Sequence, residues 1–130
     1  DGTGLGHLRI CLGIAAAFCE RRPRDHVLVL TGSGQAPAFD LPPNLDWVKL
    51  PSWPKRDLYV DLPHQASPPA PFKHVVYARE AVARATVQAF APDLLVVDHA
   101  PAGLFRELAP AIDWLRAARP DALLALLMRD

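Results

Sequence analysis

Apolar residues recur along this chain first at the spacing of a helix and then in short continuous runs. Positions 8, 11, 12, 15, 16 and 19 form one face of a helix predicted from about Gly6 to Arg21. Pro23 stops this helix, and HVLVL (26–30) then predicts a buried strand that ends in a TGSG turn. LDWVKL (45–50) predicts a second strand.

The second half of the chain repeats this alternation after a proline-rich stretch at 51–71. Apolar positions between Lys73 and Phe90 predict a second amphipathic helix. DLLVV (93–97) is the clearest buried strand. A third helical region is expected from Leu104, with Pro110 in the first position of a new helical segment, and a last apolar strand covers 122–128.

The order of these elements predicts the fold class. Helices that alternate with continuous apolar strands indicate an α/β protein with a Rossmann-like, open and largely parallel sheet flanked by helices. Because a glycine loop before a helix normally follows a buried strand, we expect a first strand that is missing from this sequence. We also expect the natural chain to continue, and we interpret residues 1–130 as a partial domain.

Composition narrows the classes of function. The 130 residues carry 14 basic and 14 acidic side chains, and this zero net charge disfavours nucleic acid as the main partner. No stretch reaches the ~18 apolar residues of a membrane span. Cys11 and Cys19 would lie about 12 Å apart on one helix, too far for a disulfide, and they favour a reducing, cytoplasmic location.

The opening stretch, DGTGLGH, is the first candidate for chemistry. A glycine-rich turn that leads into a helix presents N–H groups and the positive end of the helix dipole to an anion. Gly2, Thr3, Gly4 and Gly6 are therefore candidate phosphate-binding residues. The loop lacks the Lys-Ser/Thr of a Walker A motif, and His7 stands where the dinucleotide fingerprint requires a glycine.

His7 is the candidate catalytic base. The helix dipole at the start of the predicted helix disfavours an imidazolium, and a neutral histidine can take a proton from a hydroxyl. Two alternatives stay open for His7: it donates a hydrogen bond to a phosphate, or it only caps and packs the first turn of the helix.

Asp98 and His99 follow a predicted strand and form the second candidate pair. Ligands of doubly wound sheets bind beyond the carboxyl ends of the strands, where we expect this pair, the turn at 31–33 and the substrate-binding candidate Arg129. Asp98 can orient a histidine, bind a sugar hydroxyl or cap the next helix. The remaining histidines have no metal-ligand spacing, which predicts no metal site.

Three stretches resemble a known group of enzymes. GTGLGH (2–7) resembles the N-terminal glycine loop of GT-B glycosyltransferases and is most similar to the family of the peptidoglycan lipid-intermediate N-acetylglucosaminyltransferase. PDLLVVD (92–98) is similar to a strand of the same half-domain. VDHAPAGLFREL (97–108), together with MRD (128–130), resembles bacterial proteins described as glycosyltransferases.

This resemblance implies the N-terminal, acceptor-side domain of a GT-B enzyme, whose C-terminal donor-binding domain is absent from these 130 residues. It implies transfer of a hexosyl or N-acetylhexosaminyl group from a nucleotide-diphospho-sugar to a sugar, lipid-linked or small-molecule acceptor. No cofactor or metal is implied. His7 and Asp98 would be catalytic, with His99 on the acceptor side, and the fragment alone is expected to be inactive.

Three points stay open at this stage. Peripheral contact with the inner face of a membrane is compatible with a lipid-linked acceptor. A UDP-sugar epimerase shares the GT-B architecture and a similar loop. A non-catalytic module that binds a nucleotide or a phosphate would also carry such a loop.

Overall fold

A computed structural model of the chain describes residues 5–52, 68, 70–103 and 105–128. Its helices and strands follow the predicted order. They are α1 (Leu5–Arg21), β1 (Val27–Thr31), β2 (Leu45–Lys49), α2 (Lys73–Phe90), β3 (Leu94–Asp98), α3 (Ala109–Ala118) and β4 (Leu123–Leu127), with short 3₁₀ turns at Ala36–Ala38 and Ala70–Phe72. Six of these elements lie within about two residues of their prediction, because hydrophobic periodicity and proline stops are local signals.

The third helix is the exception. It begins at Ala109, whereas helical structure was expected from Leu104, which lies outside the described residues. Residues 105–108 form turns, and the backbone of Arg106 has a φ of 58°. A left-handed residue cannot continue a right-handed helix, so the helix starts after it.

The strands form two parallel pairs. β1 pairs with β2, with Val27 opposite Leu45, and β3 pairs with β4, with Leu94 opposite Leu123. The structure therefore confirms an α/β protein with parallel strands, compatible with a Rossmann-like fold. The residues that it describes form two small sheets where one continuous sheet was expected. Apolar runs report that a strand is buried and do not report which strand it pairs with.

The chain divides into two compact units, Asp1–Trp53 and Pro54–Asp130. In the first unit, α1 packs on one face of the β1–β2 pair. Leu8, Leu12 and Cys19 of the helix are buried in a cluster that includes Leu45 of β2. Val27, Val29 and Trp47 pack against this cluster, as expected for alternate residues of paired strands.

In the second unit, α2 and α3 pack on one face of the β3–β4 pair. Val87 of α2 and Ala111 and Leu115 of α3 are buried, and Leu95 of β3 packs against them. On the opposite face Leu94, Val96 and Leu123 are 41%, 43% and 67% exposed. The prediction of a buried strand at 93–97 is therefore wrong for one face: among the described residues, α2 and α3 cover the face that carries Leu95, and Leu94 and Val96 on the other face are exposed.

The two cysteines do not form a disulfide, as their helical spacing predicted. Cys19 is buried, and its Sγ lies 3.8 Å from the carbonyl oxygen of Asn44. In the described part of the chain, no helix combines the length and the apolar character that a bilayer crossing requires.

Candidate functional site

Hydrogen bonds of Asn44 fix the direction of α1 in the first unit. The Asn44 side-chain amide donates hydrogen bonds to the carbonyls of Cys19, Arg22 and Asp25, at distances of 3.4, 3.3 and 2.8 Å. The carboxyl end of α1 is thus tied to the residue that precedes β2. Because the helix packs along both strands, its first turn lies toward the carboxyl ends of β1 and β2.

His7 lies in this first turn and is half-buried. Among the described residues, nothing lies within 4 Å of the point where a Cβ on Gly6 would stand. The glycine loop proper, with Gly2, Thr3 and Gly4, lies outside the described residues.

The turn after β1 presents two buried hydroxyl groups. The Thr31 Oγ1 accepts a hydrogen bond from the Ser33 backbone N–H at 3.0 Å. The Ser33 Oγ in turn accepts from the Gln35 N–H at 3.3 Å. Side-chain oxygens that satisfy nearby backbone donors in this way fix the shape of a turn.

The last residue of β2, Lys49, is a cation that sequence reasoning missed. The Lys49 Nζ donates to the carbonyl of Leu50 at 2.6 Å and to the Ser52 Oγ at 2.7 Å. The Ser52 hydroxyl donates onward to the carbonyl of Gly32 at 3.2 Å. This chain of hydrogen bonds joins the turns that follow β1 and β2, and we call Lys49 and Ser52 the Lys49–Ser52 pair.

In the second unit, Asp98 ends β3 as predicted and is half-buried. The next residue, His99, is exposed, has a φ of 65° and donates its backbone N–H to the Leu127 carbonyl at 3.2 Å. Because α3 begins only at Ala109, Asp98 is not the N-cap of that helix. The carboxylate thus stands at the carboxyl end of a parallel strand, where ligands of α/β sheets bind.

The loop after Asp98 has an unusual backbone. His99, Gly103 and Arg106 all have a positive φ, with values of 65°, 81° and 58°. Left-handed backbone is costly for residues other than glycine and persists only where neighbouring contacts hold it. Such strain is concentrated at functional sites. The backbone angles therefore support this loop as part of a candidate functional site, independently of its sequence.

A buried ion pair anchors this loop to α2. The Arg79 Nε lies 2.9 Å from the Glu107 Oε2, and the Arg79 Nη2 lies 2.9 Å from the Glu107 Oε1. Each side chain is only 5% exposed. Burial and the two hydrogen bonds give Glu107 a structural role. Arg79 was missed, although a charged residue on the apolar stripe of α2 signals a buried partner.

Within the first unit, the first turn of α1, with Gly6 and His7, lies toward the same strand ends that the turn at 31–33 and the unexpected Lys49–Ser52 pair follow. Asp98 and His99 belong to the second unit, where they follow β3. Arg129 and most of the proline-rich stretch, including 53–67, lie outside the described residues.

Two further observations bear on the chemistry of the described residues. No group of three or more histidine, cysteine, aspartate or glutamate side chains is placed there to hold a metal ion. Burial raises the pKa of the Cys19 thiol, and the neighbouring Glu20 carboxylate raises it further. Cys19 is therefore a neutral core residue and a poor nucleophile at neutral pH.

Comparison with known proteins identified no relative: no family model matches the chain, and neither does any curated protein or solved structure.

Proposed function

We propose that this chain is the acceptor-side, N-terminal half of a GT-B glycosyltransferase that uses a nucleotide-diphospho-sugar. The observation that carries the proposal is the position of His7 in the first turn of α1, which lies toward the ends of β1 and β2. A basic nitrogen in this position lies where α/β sheets bind their ligands. The preceding glycine loop is of the kind that binds phosphate.

The pairing of the strands supports the same proposal. Doubly wound sheets of the Rossmann type have the strand order 3-2-1-4-5-6. If the glycine loop follows a first strand, β1 to β4 are the second to the fifth. That order then requires β1 to pair with β2 and β3 to pair with β4, and both pairs are observed to be parallel.

The proposed reaction is an inverting displacement. The imidazole of His7 accepts the proton of the acceptor hydroxyl, and the oxygen attacks the anomeric carbon of the donor. The bond from that carbon to the diphosphate breaks, and a nucleoside diphosphate leaves.

The test is sugar transfer by the natural protein that carries this chain, measured by mass spectrometry of the acceptor. A panel of nucleotide-diphospho-sugars is offered with sugar, lipid-linked and small-molecule acceptors. We expect His7→Ala to lower kcat by roughly 10²–10⁴-fold, the usual contribution of a general base. His26→Ala is the matched control, because His26 is exposed just before β1, at the opposite end of the strand.

The outcomes separate the rival functions. Wild-type activity in His7→Ala would reject His7 as the base. An epimerised sugar nucleotide without consumption of an acceptor would replace the transferase by a GT-B epimerase. Binding of a nucleotide-sugar that is insensitive to His7→Ala, without turnover of any donor, would favour a non-catalytic binding module.

A further inference from the structure

The Lys49–Ser52 pair has the features of a binding group that the sequence analysis did not assign. It stands where β2 ends, and its hydrogen bonds reach the turn after β1. We infer that this pair binds an oxyanion, a phosphate or a carboxylate, carried by a small-molecule ligand of the first unit. The inference does not depend on glycosyl transfer, because an epimerase or a binding module could use the same site.

The ammonium of Lys49 is held in a defined position. A lysine has three N–H donors, and two of them are directed to the Leu50 carbonyl and the Ser52 hydroxyl. In residues 5–52 and the other described ranges, no carboxylate lies within ion-pair distance of Lys49. Lys49 is exposed at the end of β2, where its ammonium charge can attract an anion.

The surroundings of the ammonium favour an anion. The Cε of Lys49 lies 3.8 Å from the point where a Cβ on Gly34 would stand, so its stem passes over a residue without a side chain. The hydroxyls of Thr31 and Ser33 belong to the turn that the Ser52 hydroxyl contacts. An ammonium is a common partner of phosphate and carboxylate groups, and ligands of α/β sheets bind beyond the carboxyl ends of the strands.

The directions of the hydrogen bonds argue against a nucleophilic serine. The Ser52 hydroxyl donates its proton to the Gly32 carbonyl and accepts a hydrogen bond from the Lys49 ammonium. A serine activated by a lysine would instead donate its proton to a neutral amine. The arrangement therefore fits a positioned cation better than it fits a catalytic dyad.

The experiment is a titration of the full 130-residue chain, followed by the backbone amide signals in ¹⁵N NMR spectra at constant ionic strength. Inorganic phosphate is the probe in one series, and acetate is the probe in a parallel series. We expect saturating shifts confined to the amides of residues 32–35, 49, 50 and 52. Lys49→Met should weaken binding of phosphate by about tenfold or more, since it removes a charge-assisted hydrogen bond.

Two variants accompany this measurement. Lys73→Met is the matched control, because Lys73 is an exposed lysine at the start of α2, in the other unit, and its loss should leave binding unchanged. Ser52→Ala should weaken binding less than Lys49→Met does, because the charge stays while its hydroxyl partner is lost. Unchanged amide signals of Leu12 and Leu45 would show that each variant retains the core of the first unit.

The two probes identify the class of ligand, and the variants decide the inference. Saturation with phosphate alone supports a phosphate-bearing ligand, and saturation with both probes supports a site that also accepts carboxylates. Equal binding by wild type and Lys49→Met would overturn the inference. So would shifts that grow without saturation and spread over exposed basic residues elsewhere, because they would show nonspecific screening.

Discussion

The buried ion pair between Arg79 and Glu107 offers the sharpest prediction about stability. Its two hydrogen bonds are both 2.9 Å long, and each side chain is 5% exposed. Removing one partner leaves an uncompensated charge in a place that water barely reaches. Arg79→Met should therefore lower the free energy of unfolding by about 3–5 kcal/mol, a large fraction of the ~5–15 kcal/mol that stabilises most proteins.

The double variant separates the charge from the packing. Arg79→Met with Glu107→Met replaces the pair by two apolar side chains, a change that is often neutral or stabilising by ~1–4 kcal/mol. The double variant should therefore be markedly more stable than either single variant. The assay is urea unfolding of all four proteins, followed by circular dichroism and analysed as a double-mutant cycle.

An exposed ion pair supplies the control. Asp25 pairs with Arg22, and these side chains are 39% and 61% exposed. Asp25→Asn should cost no more than about 1 kcal/mol, whereas the matched carboxylate-to-amide change Glu107→Gln should cost clearly more. Equal losses from these two variants, or a loss below about 1 kcal/mol for Arg79→Met, would refute the claim that the buried pair anchors the loop to α2.

Two further predictions concern the loop that contains Gly103 in the second unit and helix α1 in the first unit. Gly103→Ala should destabilise the chain by about 1–3 kcal/mol, because φ is 81° and the new Cβ would lie 2.7 Å from the Glu107 Cγ; thermal unfolding tests this. Gly13→Ala is its control and should stabilise α1 by roughly 0.5–1 kcal/mol, since nothing described lies within 4 Å of that position. The raised pKa of Cys19 means that the folded state keeps a proton which the unfolded state releases. The stability that this proton contributes is complete below the unfolded-state pKa of about 8.5 and is lost as the pH rises through the folded-state pKa. In urea unfolding at a series of pH values, the free energy of unfolding of Cys11→Ala should fall over this range as that of the wild type does, and this part of the fall should be missing in Cys19→Ala.

Much of the fold and part of the site could be read from local pattern. The helix at Lys73–Phe90 follows from apolar spacing, and the strand at Leu94–Asp98 follows from a short apolar run bounded by a proline and by polar residues. Asp98 was placed correctly at a strand end by the same reasoning. These signals are local, because each depends on neighbours along the chain.

Other features depended on contacts that no local pattern contains. The Lys49–Ser52 pair became a candidate site because Ser52 donates a hydrogen bond to the carbonyl of Gly32, which follows the end of β1. Glu107 finds its partner 28 positions earlier, in α2. Sequence spacing indicates which face a residue occupies, but it does not indicate which distant group completes its hydrogen bonds.

By itself, the sequence determined the order of helices and strands, the α/β class and the strand-end positions of the polar groups. Only the tertiary structure decided that the described strands form two parallel pairs and that the first turn of α1 lies toward the ends of β1 and β2. It also decided that Ser52, which Lys49 contacts, links the turns after those two strands. The physical reason is that periodicity reports burial along one element, whereas pairing and ion-pair geometry arise between elements that are far apart in sequence.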